Sequence, residues 1–237
     1  MQRDILSMII FFIATIILTR SLGIDEYGKY LLIMIIPTTA EIIFRIKLDY
    51  SSIYFLSKKI ITMPKIIFIL NFYAIFVSIL FLFIIYILNI LHTNFISILD
   101  FTNSLLIVSI FFLRLIFINY SYLFIQIGNY TRYNIMIFFN SFLYLIFLCI
   151  AFYFFKSNIH YALLALIIGL IFTNLYAFIF FHKKYGIIFF TDRKIIFNFI
   201  KFSFKHYYTG LADFLFINLH QYIIFFFTHL QCLVLLI

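Results

Sequence analysis

The sequence predicts an all-α integral membrane protein with about seven transmembrane helices. Three observations predict it. Of 237 residues, 66% are hydrophobic and only 11% are charged, giving a mean hydropathy of +1.18. The apolar residues fall in continuous runs of 14–26 residues. The lysines and arginines gather in alternate connections between those runs.

A soluble domain carries about 45–50% apolar and about 25% charged residues. This chain has too few polar side chains to cover a water-facing surface. Disorder needs low hydrophobicity and is excluded as well. A spanning helix takes about 20 residues, which leaves room for roughly six to eight spans. The runs do not alternate with period two, so they read as helices and not as barrel strands.

The first run is Ile5 to Leu18, followed by Arg20 with no small-residue cleavage site. It has the length of a signal-peptide core but reads as a short first helix. The second run, Tyr30 to Phe44, contains Pro37 and Glu41. A basic stretch, Arg45 to Lys65, leads to the third run, Ile66 to Leu91, long enough to span with tilt. The polar break His92 to Asn103 precedes the fourth run, Leu105 to Phe124, which holds Arg114. The short turn Gln126 to Asn134 separates it from the fifth run, Ile135 to Phe155. Lys156 to His160 is a tight connection to the sixth run, Tyr161 to Phe181. A second basic stretch, 182–205, precedes a seventh run within 206–237.

Orientation follows from the cations. With the N-terminus inside, the inner segments hold 13 of the 17 Lys and Arg residues and the outer segments hold 3, Arg114 lying within a span. Cytoplasmic loops carry such an excess, so the N-terminus and both basic stretches are expected to be cytoplasmic. The net charge of +9 is explained by these loops and by anionic lipid, not by nucleic acid. Cys149 and Cys232 lie in apolar runs, too far apart to form a disulfide framework or a metal spacing. No metal or other cofactor is expected.

The stretch from Leu18 to Tyr30 includes Arg20, Leu22, Gly23, Glu26, Tyr27, Gly28 and Tyr30. It resembles the segment after the first helix of polysaccharide flippases, in the superfamily that also holds multidrug pumps and lipid II flippases. Leu48 to Lys59 resembles the loop before the third helix, and Gln126 to Tyr130 the loop after the fourth. Asn218 to Tyr222 is similar to the seventh-helix pattern, where many relatives place Asp rather than His220. The resemblance implies two similar bundles and about a dozen helices. Residues 1–181 would then be the N-terminal six-helix bundle, 182–205 a basic cytoplasmic loop, and 206–237 a seventh helix with an aberrant end. The chain is expected to be a truncated copy.

Arg114 is the sharpest feature, at the tenth position of a 20-residue apolar run. A central Arg costs about 2.5–3.5 kcal/mol on insertion, and the run's 14 Leu, Ile, Phe and Val residues return about 4–8 kcal/mol. Such a residue faces a bundle interior or a watery cavity. Two readings stand for it: a contact to the pyrophosphate of a lipid-linked sugar, which a guanidinium matches bidentately, or a structural pair with Glu41 or Asp213. Glu41 and Arg45 stand i,i+4 in the favourable order, with Thr38 on the same face. They read as a self-neutralised pair, or as part of an inner gate or proton site. His206, Asp213 and His220 are spaced by seven, with Thr209 near the same stripe. They could line a cavity or hydrogen-bond between helices. The candidate substrate-binding residues are therefore Arg114, Glu41, Arg45, Asp213 and His220.

No Gly-rich phosphate loop, metal-ligand cluster or nucleophile elbow is present in the sequence, so a non-enzyme is expected. The resemblance implies a flippase moving undecaprenyl-pyrophosphate-linked oligosaccharide across the bacterial inner membrane for surface polysaccharide synthesis. Its partners would be that lipid-linked oligosaccharide and the bilayer, with other polysaccharide-assembly membrane proteins as further candidates. One alternative is a membrane polysaccharide polymerase or ligase, which needs a sizeable outer loop. Another is a multidrug or cation antiporter of the same superfamily, which needs acidic cavity sites.

The charge asymmetry predicts that a reporter active only in the cytoplasm will be active when fused at Lys59 and silent when fused at Asn94. Cytoplasmic activity at Asn94 would reverse the topology.

Overall fold

In a bilayer the backbone must satisfy its own hydrogen bonds, and this chain does so with helices. The computed structural model describes residues 2–91, 101–154, 158–186, 188, 192–208 and 212. It contains α1 (Gln2–Phe44), α2 (Leu48–Ser57), α3 (Met63–Leu91), α4 (Phe101–Gln126), α5 (Tyr130–Phe154), α6 (Ile159–Tyr185) and α7 (Arg193–Lys205). No strand occurs among the described residues. Five helical stretches are long and apolar enough to cross a membrane, by length and composition.

The first two apolar runs belong to one helical element, α1, of 43 residues. Straight, it would be roughly 64 Å long at about 1.5 Å per residue, twice the about 30 Å of a hydrocarbon core. It does not run straight. Gly23 leaves the helical region at φ 76°, ψ 173°. Beyond that residue the chain turns back. The Phe11 ring lies 6.2 Å from the Tyr144 ring, and the Tyr30 hydroxyl lies 3.1 Å from the Tyr144 hydroxyl. A straight helix would hold positions 11 and 30 roughly 28 Å apart, too far for both to meet one tyrosine.

The end of the second arm and the start of α2 run beside α4 in the same direction. Glu41 meets Arg114, Arg45 meets Tyr122, and the Asp49 carbonyl accepts from Gln126. The arm's last carbonyls, orphaned where the helix ends, accept from tyrosines: Phe44 from Tyr73 at 2.6 Å and Ile43 from Tyr207 at 2.8 Å.

α3 to α6 fall where the third to sixth apolar runs predict them, each beginning two to five residues earlier, and α4 and α6 also running on by two and four residues. The closest approach is between α5 and α6. A Cβ on Gly169 would meet the Tyr144 backbone nitrogen at 3.3 Å. Ala162, Ala165, Thr173 and Ala177 are buried on the same helix. Small residues of this kind let backbones approach where lipid supplies no hydrophobic drive for association. On α3, Phe72, Phe76, Ile79 and Phe83 recur at helical spacing and are exposed. In a membrane that stripe faces acyl chains.

Both basic stretches contain a helix. α2 lies in the first, and α7 lies in the stretch expected to be a loop. α7 opens on Asp192, whose carboxylate accepts from the Lys194 amide. Ile195, Ile196, Phe199, Ile200 and Ser203 lie towards the protein, while Arg193, Lys194, Lys201 and Lys205 are exposed. α7 packs on α2: Tyr54 stacks on Phe202 at 4.4 Å, and the Ser51 and Ser203 hydroxyls meet at 2.6 Å. The seventh apolar run lies outside the described residues apart from Tyr207, Tyr208 and Ala212, as do 92–100 and Lys156.

The two glycines of the 20–30 segment should respond oppositely to alanine. Nothing lies within 4 Å of a Cβ at either. Gly23→Ala forces a side chain into backbone space that only glycine occupies readily, costing about 1–3 kcal/mol. Gly28→Ala sits in regular helix and should be neutral or stabilising by up to about 1 kcal/mol. Thermal unfolding of the two variants in the same detergent checks this. Equal melting points would remove Gly23 as the origin of the turn.

Candidate functional site

Arg114 lies midway along α4, 13 residues after Phe101 and 12 before Gln126. Its Nε–H donates to Glu41 Oε2 at 2.6 Å. The Glu41 side chain is 9% exposed and that of Arg114 is 32% exposed. Glu41 thus meets the arginine of a neighbouring helix. Arg45, expected to neutralise it, lies over the Tyr122 ring at 4.6 Å, with Nη2 3.5 Å from Asp49 Oδ1. The sequence spacing i,i+4 is satisfied by two acids, one on each side of Arg45. α4 presents Arg114 to the inner one. Thr38 turns its hydroxyl to the Met34 carbonyl at 2.8 Å, one residue after Pro37.

Around Arg114 the helices leave a partly enclosed cavity of about 210 Å³. Arg114, Phe117 and Ile118 line it from α4; Asn140, Ser141 and Tyr144 from α5; Leu166 and Leu170 from α6; and Phe11 from the first arm of α1. A guanidinium has five N–H donors, and one is committed to Glu41. The cavity is also lined by Asn140, by Ser141, whose hydroxyl donates to the Ile137 carbonyl at 3.3 Å, and by Tyr144, whose hydroxyl is paired with that of Tyr30. The ion pair is neutral as a whole, so what the cavity offers is a set of guanidinium N–H donors at the edge of a mainly apolar space.

The pair is braced from behind. Asn174 of α6 donates to the carbonyl of Leu113, the residue before Arg114, at 2.8 Å. Towards the α4 C-terminus, the Asn71 amide donates to the Tyr120 hydroxyl at 3.1 Å. Asp49, Asn119, Tyr122 and Gln126 form a polar cluster with Arg45 below the cavity.

Of the predicted site residues, the structure brings Arg114 and Glu41 into contact. It places Arg45 one turn beyond them, at the edge of a separate small cavity with Glu41, Lys47 and Tyr207. His206 stacks on Tyr50 at 5.5 Å, at the end of α7. Asp213, His220 and Thr209 lie outside the described residues. Asn140, Ser141 and Tyr144 were missed by the sequence reading. Their spacing of i, i+1, i+4 puts three polar groups on one face of an apolar run, which is the signal that marks them. Among the described residues no group of three His, Cys, Asp or Glu side chains could hold a metal. Comparison with known families, with curated proteins and with solved structures finds no match for this chain.

Removing one partner of the pair leaves the other charge alone in the bundle. Breaking a buried pair costs about 3–5 kcal/mol, and the partial exposure of Arg114 should reduce this to about 2–3 kcal/mol. Glu41→Gln and Arg114→Met should each lower membrane yield and melting temperature, and the double variant should recover most of the loss. A double variant no better than the worse single one would show that the pair is not the coupling.

Proposed function

We propose that this chain is the substrate-holding bundle of a flippase for undecaprenyl-pyrophosphate-linked oligosaccharide in the bacterial inner membrane. In this reading the two arms of α1 together with α3, α4, α5 and α6 are the six helices of an N-terminal bundle. The N-terminus is cytoplasmic, and a second bundle rocks against this one around the substrate. The observation that carries the proposal is Arg114: a cation at mid-helix depth, beside a cavity, with one N–H given to Glu41. Phosphate is the anion whose geometry a guanidinium fits by two-point contact. The polyol face of a sugar matches the Asn140, Ser141 and Tyr144 wall. The resemblance of the 18–30 segment to polysaccharide flippases supports the same reading.

Glu41 has a definite part in it. With the site empty it neutralises Arg114 and lowers the cost of keeping a cation there. An arriving pyrophosphate competes with the carboxylate for the guanidinium, so binding exchanges one anionic partner for another.

Binding of undecaprenyl pyrophosphate to the purified chain in nanodiscs tests the proposal. Arg114→Ala should weaken binding roughly ten- to hundredfold, the worth of a charge-assisted hydrogen bond. Arg114→Lys should fall between, because an ammonium cannot make the planar contact. The Glu41→Gln/Arg114→Met double variant should be stable yet fail to bind. Unchanged affinity in Arg114→Ala would overturn the proposal.

A further inference from the structure

A second basic site lies away from Arg114, at the end of the bundle where α5 begins and α6 finishes. An open groove of about 440 Å³ lies here, lined by Arg132 of α5 and by Tyr176, Ile179, Phe180, Lys183 and Lys184 of α6. Two of these cations have ordinary reasons to be there. Lys183 and Lys184 stand in the last turn of α6, where the helix dipole favours positive charge. Arg132 does not. It is the third residue of α5, at the end where the dipole disfavours a cation. Its guanidinium carbon lies 3.9 Å from the centre of the Phe180 ring, on the groove wall, and Lys184 approaches the same ring at 5.8 Å. Among the described residues none of the three has a salt-bridge partner within reach. Three like charges therefore converge on one groove with no acid beside them among the described residues. Such a convergence favours an anion.

The shape of the groove identifies the kind of anion. Lys183 and Lys184 sit at the end of α6, Arg132 lies over Phe180 just before them, and Ile179 and Tyr176 lie one to two turns back along α6 from the lysines. A ligand with a phosphate at one end and an apolar body at the other fits this order. Basic pockets between spanning helices are known to take anionic lipid headgroups. We infer that Arg132, Lys183 and Lys184 form a binding site for the phosphodiester headgroup of an anionic phospholipid, with its first methylenes against Ile179 and Tyr176. The site lies at the same end as the basic stretches, which the charge asymmetry places in the anionic inner leaflet.

The test uses the full chain, purified and delipidated in neutral detergent. Cardiolipin, phosphatidylglycerol, phosphatidylcholine and inorganic phosphate are added in separate arms, and binding is read by native mass spectrometry and by thermal shift. The two anionic lipids should bind and raise the melting temperature, and phosphatidylcholine should do neither. Neutralising the groove with Arg132→Gln, Lys183→Gln and Lys184→Gln should weaken anionic lipid binding by about fivefold for each cation removed. Lys58→Gln with Lys59→Gln, which removes charge from the other basic stretch, should leave it unchanged. Equal lipid binding by the groove variant and the wild type would overturn the inference. So would inorganic phosphate giving the full thermal shift, since the apolar wall would then play no part. Loss of binding in the Lys58/Lys59 variant equal to that in the groove variant would also overturn it, by showing general charge attraction.

Discussion

The contact between Glu41 and Arg114 is the constraint around which the bundle is arranged. An arginine at the middle of an apolar helix has to find water, an acid or both. Here α4 carries the arginine, and the second arm of α1 brings the acid to it. That requires the arm to lie beside α4 in a fixed register, which the Arg45–Tyr122 and Gln126–Asp49 contacts repeat along the seam. The register in turn requires α1 to turn back at Gly23, because a straight α1 would carry Glu41 far beyond the bundle. One ion pair thus fixes an alignment that van der Waals packing between similar apolar surfaces would specify weakly.

Hydroxyls and amides tighten what the ion pair aligns. The Tyr30 and Tyr144 hydroxyls join α1 to α5, Asn174 joins α6 to α4, and Asn71 joins α3 to the Tyr120 hydroxyl on α4. In lipid these polar contacts are specific where apolar contacts are not. The tightest helix pair, α5 with α6, relies on another device: Gly169 lets the two backbones come within van der Waals distance. The same stretch of α5 that meets Gly169 also contributes Asn140, Ser141 and Tyr144 to the cavity beside Arg114.

Much of this is legible in the sequence, and the rest is hidden for definite reasons. The apolar runs mark α3 to α6 because continuous hydrophobicity over about 20 residues has few other readings. The 18–30 segment conceals its turn, since helix continues on both sides of a single non-helical glycine. α2 and α7 are hidden by their charges: a basic stretch reads as a loop unless Ile195, Ile196, Phe199 and Ile200 are seen as one face. The importance of Arg114 is visible from its position alone. Its partner is only narrowed to Glu41 or Asp213, because i,i+4 spacing also offers Arg45 to Glu41, and only the tertiary register shows that Glu41 meets Arg114.

The docking of α7 on α2 bears on how the protein is made. The Ser51 hydroxyl reaches the Phe199 carbonyl across 148 residues of chain, and both Ser51 and Phe199 are fully buried. At about 5–20 residues per second, a ribosome needs roughly 7–30 s to travel that distance. For all of that time α2 exists without the surface that covers it, while α3 to α6 are being inserted one after another. Phe55, which finally meets Phe199 and Phe202, lacks both of these rings for the whole interval. The arrival of α7 is therefore the event that closes this end of the bundle.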